Sequence, residues 1–138
     1  MKSYNDSLIS YSKVLALNNT RGDLWVKEGI VQGSMKLYND SMKSFDEAIA
    51  IDSKNANIWV EKGDEQRSLR LYNDSVVSYR KAASINRNST GAWLGFASAY
   101  EAQKNYKSAF AAISNATIAS PKSASYRYIS GYYLLALG

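Results

Sequence analysis

Residues 22–55 read GDLWVKEGIVQGSMKLYNDSMKSFDEAIAIDSKN, and the rest of the chain echoes them. A shift of 34 positions carries Trp25 onto Trp59 and Trp93, and Gly29 onto Gly63, Ala97 and Gly131. The same shift aligns Tyr4, Tyr38, Tyr72 and Tyr106, then Ala48, Ala82 and Ala116, then Leu17, Ile51, Ile85 and Ala119. The tetrapeptide Tyr-Asn-Asp-Ser stands at 4–7, 38–41 and 72–75. So many columns at one spacing define a tandem repeat.

Each unit reads as two helices. Trp25, Glu28, Gly29 and Gln32 follow i, i+3, i+4, i+7 spacing and share one helix face. Tyr38, Ser41, Phe45 and Ala48 do the same on the next segment. The small residues Gly29 and Ser41 are expected where two antiparallel helices cross, with Trp25 and Phe45 filling the space beside them. Asp40 and Asp74 fall in the first turn of second helices, where a carboxylate suits the helix dipole. Lys36, Arg70 and Lys104 follow the first helices, where a cation suits it.

A 34-residue pair of helices with this Trp, Gly, Tyr, Ala and Phe pattern resembles the tetratricopeptide repeat. The resemblance spans the chain. It implies an all-α, right-handed α-solenoid of antiparallel helix hairpins in one domain, 1–138. Repeats occupy 22–55, 56–89 and 90–123, with a half repeat at 1–21 and another at 124–138. Two departures stand out. Lys36, Arg70 and Lys104 occupy turn positions where the family usually has glycine, and the strain of positive φ, about 1 kcal/mol, predicts a slightly remodelled turn. The family's proline near each repeat's end appears only as Pro121, with Ser53 and Arg87 in its place earlier.

Stacked hairpins of this kind form an extended binding surface. The resemblance implies that first helices line a concave groove that holds peptide or helical segments of partner proteins. Here that groove maps to Val26, Ile30, Val60, Asp64, Arg67, Leu94, Ser98, Glu101, Tyr128 and Tyr132. Val26, Val60 and Leu94 read equally well as packing between helices. One subgroup of the family grips a peptide's C-terminal carboxylate with Lys, Arg and Asn on these helices. This chain has Val26, Ile30, Val60, Asp64, Leu94 and Ser98 there, so an apolar or amphipathic segment is the expected ligand.

Other functions find little support. The chain lacks cysteine and histidine, which removes disulfides, thiolate metal sites and the commonest general base. Glu61, Asp64 and Glu65 share a helix face, but Lys62 and Arg67 beside them make a solvated surface the simpler reading. No phosphate-binding glycine loop, nucleophile elbow or metal-ligand spacing occurs. A non-catalytic module or scaffold with neither cofactor nor metal is expected. The net charge of +5 comes from scattered Lys and Arg, so no specific nucleic-acid partner is expected. No apolar stretch is long enough for a membrane span. The compartment stays open, with the cytoplasm favoured. Six sequons occur, at Asn5, Asn18, Asn39, Asn73, Asn88 and Asn115. In three of them, Asn5, Asn39 and Asn73, the serine belongs to the small-residue packing column.

The apolar run Ile129–Leu137 would be unusual on a terminal helix. One expectation is that the chain is a fragment of a longer array. Another is self-assembly: the last helix of one molecule, through Tyr132, Tyr133 and Leu134, pairs with 4–17 of the next. Such head-to-tail contacts grow into filaments or rings.

Overall fold

The computed structural model describes residues 2–138. Among them are eight helices and no strand: α1 (Lys2–Leu17), α2 (Gly22–Ser34), α3 (Tyr38–Ile51), α4 (Ala56–Ser68), α5 (Tyr72–Ile85), α6 (Thr90–Ala102), α7 (Tyr106–Ala119) and α8 (Ala124–Leu137). The all-α fold of helical hairpins read from the repeat is the fold observed. Even-numbered helices begin 34 residues apart, so the period of the columns is the period of the helices. By its contacts the chain divides into two compact units, Met1–Ile58 and Trp59–Gly138, and the division falls within α4.

In the first unit, Phe45 and Ala48 of α3 are fully enclosed, with Leu15 and Leu24 nearly so. A Cβ placed on Gly29 would stand 3.1 Å from the Phe45 ring and 3.2 Å from the Ser41 carbonyl oxygen. The helices cross there because nothing larger than hydrogen intervenes. A buried polar contact repeats between hairpins. Ser44 Oγ donates to Gln32 Oε1 at 2.7 Å, and in the second unit Ser78 Oγ donates to Gln66 Oε1 at 2.6 Å. In the third repeat the serine becomes Ala112 and the glutamine becomes the aromatic Tyr100. Serine and glutamine change together, so neither is left facing a lost partner.

The core of the second unit gathers Ala97, Ala109, Ala112, Ile113, Ala116 and Tyr133, with Trp93, Phe96, Tyr100 and Phe110 packed against them. Tyr79 takes the position Phe45 holds one repeat earlier. Its ring would clash with a Cβ on Gly63, only 2.7 Å away, and would overlap one on Gly95. These two glycines give the longer side chain its channel. At the far end its hydroxyl donates to Asp64 Oδ1 at 2.7 Å and accepts from Arg67 Nε at 3.3 Å. Burial, and then the Asp64 carboxylate, push the phenol above its ordinary value of 10.0.

The turns after α2, α4 and α6 keep the left-handed geometry although none carries glycine. Lys36, Arg70 and Lys104 have φ of 64°, 61° and 58°. Each turn is closed by a nested pair of backbone bonds: Lys36 N–H to Gly33 O and Leu37 N–H to Gln32 O, both 2.8 Å, with equivalents at 70–71 and 104–105. That pairing satisfies the last carbonyls of the helix. The expected remodelling therefore does not occur, because the bonds outweigh a strain of about 1 kcal/mol.

One hydroxyl breaks the rule of satisfied polar groups. Ser75 Oγ donates to Tyr72 O at 2.8 Å, whereas its equivalent Ser41 Oγ is fully buried without a partner. The third repeat has Ala109 at this position, also fully buried. Ser41→Ala should therefore raise stability by about 1 kcal/mol, measured by urea unfolding; an unchanged or lowered midpoint would contradict this account. Tyr79→Phe should cost about 1 kcal/mol at neutral pH. The wild type holds a protonated phenol, so the stability this group contributes is complete below pH 10 and is lost as pH rises beyond it. Unfolding curves above pH 10 should decline less steeply for Tyr79→Phe than for wild type.

Candidate partner-binding cleft

Leu94, Ser98 and Glu101 follow i, i+4, i+7 spacing along α6 and so share a face. Tyr128 and Tyr132 stand one repeat after Leu94 and Ser98, on the matching face of α8. Together the five wall a cleft of about 230 Å³ floored by Ile113, Ile129 and Tyr133. Tyr128 is 80% exposed and Tyr132 49%. An apolar floor under a rim of tyrosines suits an aromatic or aliphatic anchor, since tyrosine offers a large rigid surface and a polar tip.

The other expected groove residues are not brought into this cleft. Val60 lies half-buried against Val76, Tyr79 and Ala99. Asp64 and Arg67 clasp the Tyr79 hydroxyl, so their polar groups serve the core before any ligand. Val26 and Ile30 belong to the first unit, Val26 half-buried and Ile30 exposed.

Tyr133 is a correction. Expected on a self-association face, it is instead 2% exposed and belongs to the core of the second unit. Its hydroxyl donates to Glu101 Oε2 at 2.8 Å and fixes that carboxylate at the edge of the cleft. Burial and the Glu101 charge push the Tyr133 phenol up, as at Tyr79. The helical phase explains the placement. Tyr126, Ile129 and Tyr133 share the face turned to α7, while Tyr128, Tyr132 and Leu135 look outward. The repeat carried no clear signal for it: Tyr133 follows the fully buried Ala99 by one period, but the earlier members of that column are the half-buried Val31 and Glu65.

The carboxylate trio on α4 is divided between solvent and the Tyr79 clasp. Glu61 is exposed, its carboxyl raised by partial burial and then by the Asp64 charge. Glu65 is raised by burial alone, and Asp64 is held by Tyr79 and Arg67. Among the described residues no His, Cys, Asp and Glu side chains are gathered so as to hold a metal ion, and no helix is long and apolar enough to cross a membrane.

Known proteins share this architecture. The sequence profile of the tetratricopeptide repeat matches residues 56–89. The crystal structure of MamA protein superimposes with a TM-score of 0.82 at 16% identity, over 99% of this chain and 75% of that one. The Arabidopsis OM64 TPR domain gives 0.68 at 20% identity, over 81% and 93% respectively. The first TPR of Spaghetti (RPAP3), bound to the HSP90 peptide SRMEEVD, gives 0.73 at 14% identity, over 85% and 95%. No curated protein sequence matches the chain. The family profile covers one unit, residues 56–89; its columns recur at the same period on either side, and along almost the whole length the fold is that of tetratricopeptide-repeat structures.

Proposed function

We propose that the protein is a non-catalytic interaction module that holds an apolar or amphipathic segment of a partner protein through the α6–α8 cleft. The observation that carries this reading is the cleft itself, an apolar floor left open beneath Tyr128 and Tyr132. A structure of the same fold is bound to a peptide, so a peptide is a ligand the fold accepts. The chemistry here differs from what that acidic peptide would ask for. Glu101 stands at the cleft, and a carboxylate there opposes a peptide ending in acidic residues. The partner is anchored by a side chain in the pocket and not by its terminus.

A panel of amphipathic peptides, titrated by fluorescence anisotropy, tests this. Binders should lose about tenfold in affinity, roughly 1.4 kcal/mol, on Tyr128→Ala and again on Leu94→Asp. SRMEEVD should not bind. Binding that ignores both substitutions, or capture of SRMEEVD, would remove the cleft as the site.

A second reading, self-association, rests on a separate observation. Gly29 and Gly63 are covered by a large side chain, whereas a Cβ on Gly131 of α8 would meet nothing within 4 Å. Leu134 and Leu135 beside it are 53% and 84% exposed. Tyr11 of α1, half-buried, stands one repeat before Phe45 and is the side chain that a second copy would bring to Gly131. Sedimentation velocity should then show growth with concentration, abolished by Gly131→Leu, which blocks the crossing and leaves the monomer core untouched. A monomer at all concentrations, or growth indifferent to Gly131→Leu, would discard this reading.

A further inference from the structure

The first unit contains a larger cleft, about 760 Å³, walled by α1, α2 and α3. Its most telling residue is Glu28 of α2, a carboxylate only 5% exposed. Ser12 Oγ donates to Glu28 Oε1 at 2.5 Å, but among the described residues no cation pairs with it. A carboxyl group this enclosed, with one neutral hydroxyl as its hydrogen-bond partner, suits an opposite charge brought into the cleft. Asp40 and Glu47 also line the cleft, against Lys43 alone, whose ammonium leans on Asp40 at 3.8 Å and is mostly in solvent. A chain with a net charge of +5 therefore carries a cleft with an acidic surplus.

The second unit shows what this space becomes when it is only structural. Two periods after Trp25, Glu28, Gln32 and Ser44 stand Trp93, Phe96, Tyr100 and Ala112. There Trp93 and Phe96 meet edge to face at 6.1 Å, Phe96 and Tyr100 at 5.0 Å, and the stack packs on the core. Aromatic filling is within reach of this backbone. The first unit instead keeps the space open and places the enclosed carboxyl group of Glu28 in it.

We propose that this cleft is a second binding site, one that takes the arginine side chain of a basic partner segment. A guanidinium can meet a carboxylate with two parallel hydrogen bonds and stack its plane on an aromatic face. Trp25 supplies that face. Its ring is held by the Nε1–H bond to Asn19 O at 2.9 Å. Leu15 offers apolar surface to the aliphatic stem. The carboxylates are too dispersed to gather on one metal ion, which favours an extended organic cation. The site lies wholly within the first unit, so it stands or falls independently of the α6–α8 cleft.

The test is an NMR titration of the whole chain with the capped tripeptide Ala-Arg-Ala and with its neutral analogue Ala-citrulline-Ala. The arginine peptide should shift the Trp25 indole and the amides of Glu28 and Gln32, and the citrulline peptide should not. Glu28→Gln, which keeps an acceptor for Ser12, should weaken binding by about tenfold or more. The triple change Glu28→Phe, Gln32→Tyr and Ser44→Ala copies the second unit. It should fold, by its circular dichroism and dispersed spectrum, and not bind. Equal shifts from both peptides, undiminished binding by Glu28→Gln, or binding by the folded triple variant would each overturn the proposal.

Discussion

The close crossing of two helices under one large side chain is the contact on which each hairpin depends. Phe45 lies on Gly29, Tyr79 on Gly63, and Ile113 in one core with Ala97. The small residue lets the backbones approach, and the large one fills the angle between them. Dispersion and burial are strongest where packing is tightest. The positions around that crossing are freer. They hold a serine–glutamine bond in two repeats and an alanine with a tyrosine in the third.

That freedom explains what the sequence revealed and what it hid. The crossing residues were legible because they recur: Gly29, Ser41, Phe45 and Ala48 announce their columns by position alone. The clasp of Tyr79 was not. Exchanging Phe45 for Tyr79 looks conservative within a column, and the channel it needs depends on Gly95, whose counterparts are Lys27 and Glu61. In the sequence alone Asp64 and Arg67 therefore read as groove charges, whereas both are bonded to the Tyr79 phenol. Tyr133 was hidden differently, inside an apolar run whose composition says nothing of phase. Only the rotation of α8 separates the face turned to α7 from the face turned to solvent.

The same columns also show how one backbone is put to different uses. Trp25, Glu28 and Gln32 line an open acidic cleft, while Trp93, Phe96 and Tyr100 close the equivalent space with aromatic rings. Neither choice disturbs the crossing beneath it. Function on such a scaffold is therefore written in the residues that flank the packing contact.

The left-handed turns carry an implication for how such a chain changes length. Every bond that closes the first of them joins residues between 32 and 37, and the next two repeat the arrangement one and two periods later. The backbone bonds that close each turn lean on no distant partner. A duplication or deletion of 34 residues, wherever its endpoints fall within the period, would splice like onto like and leave each remaining turn intact. Lys36, Arg70 and Lys104 accept the same backbone strain at each site, so an array of this kind can be edited in whole units while its joints stay unchanged.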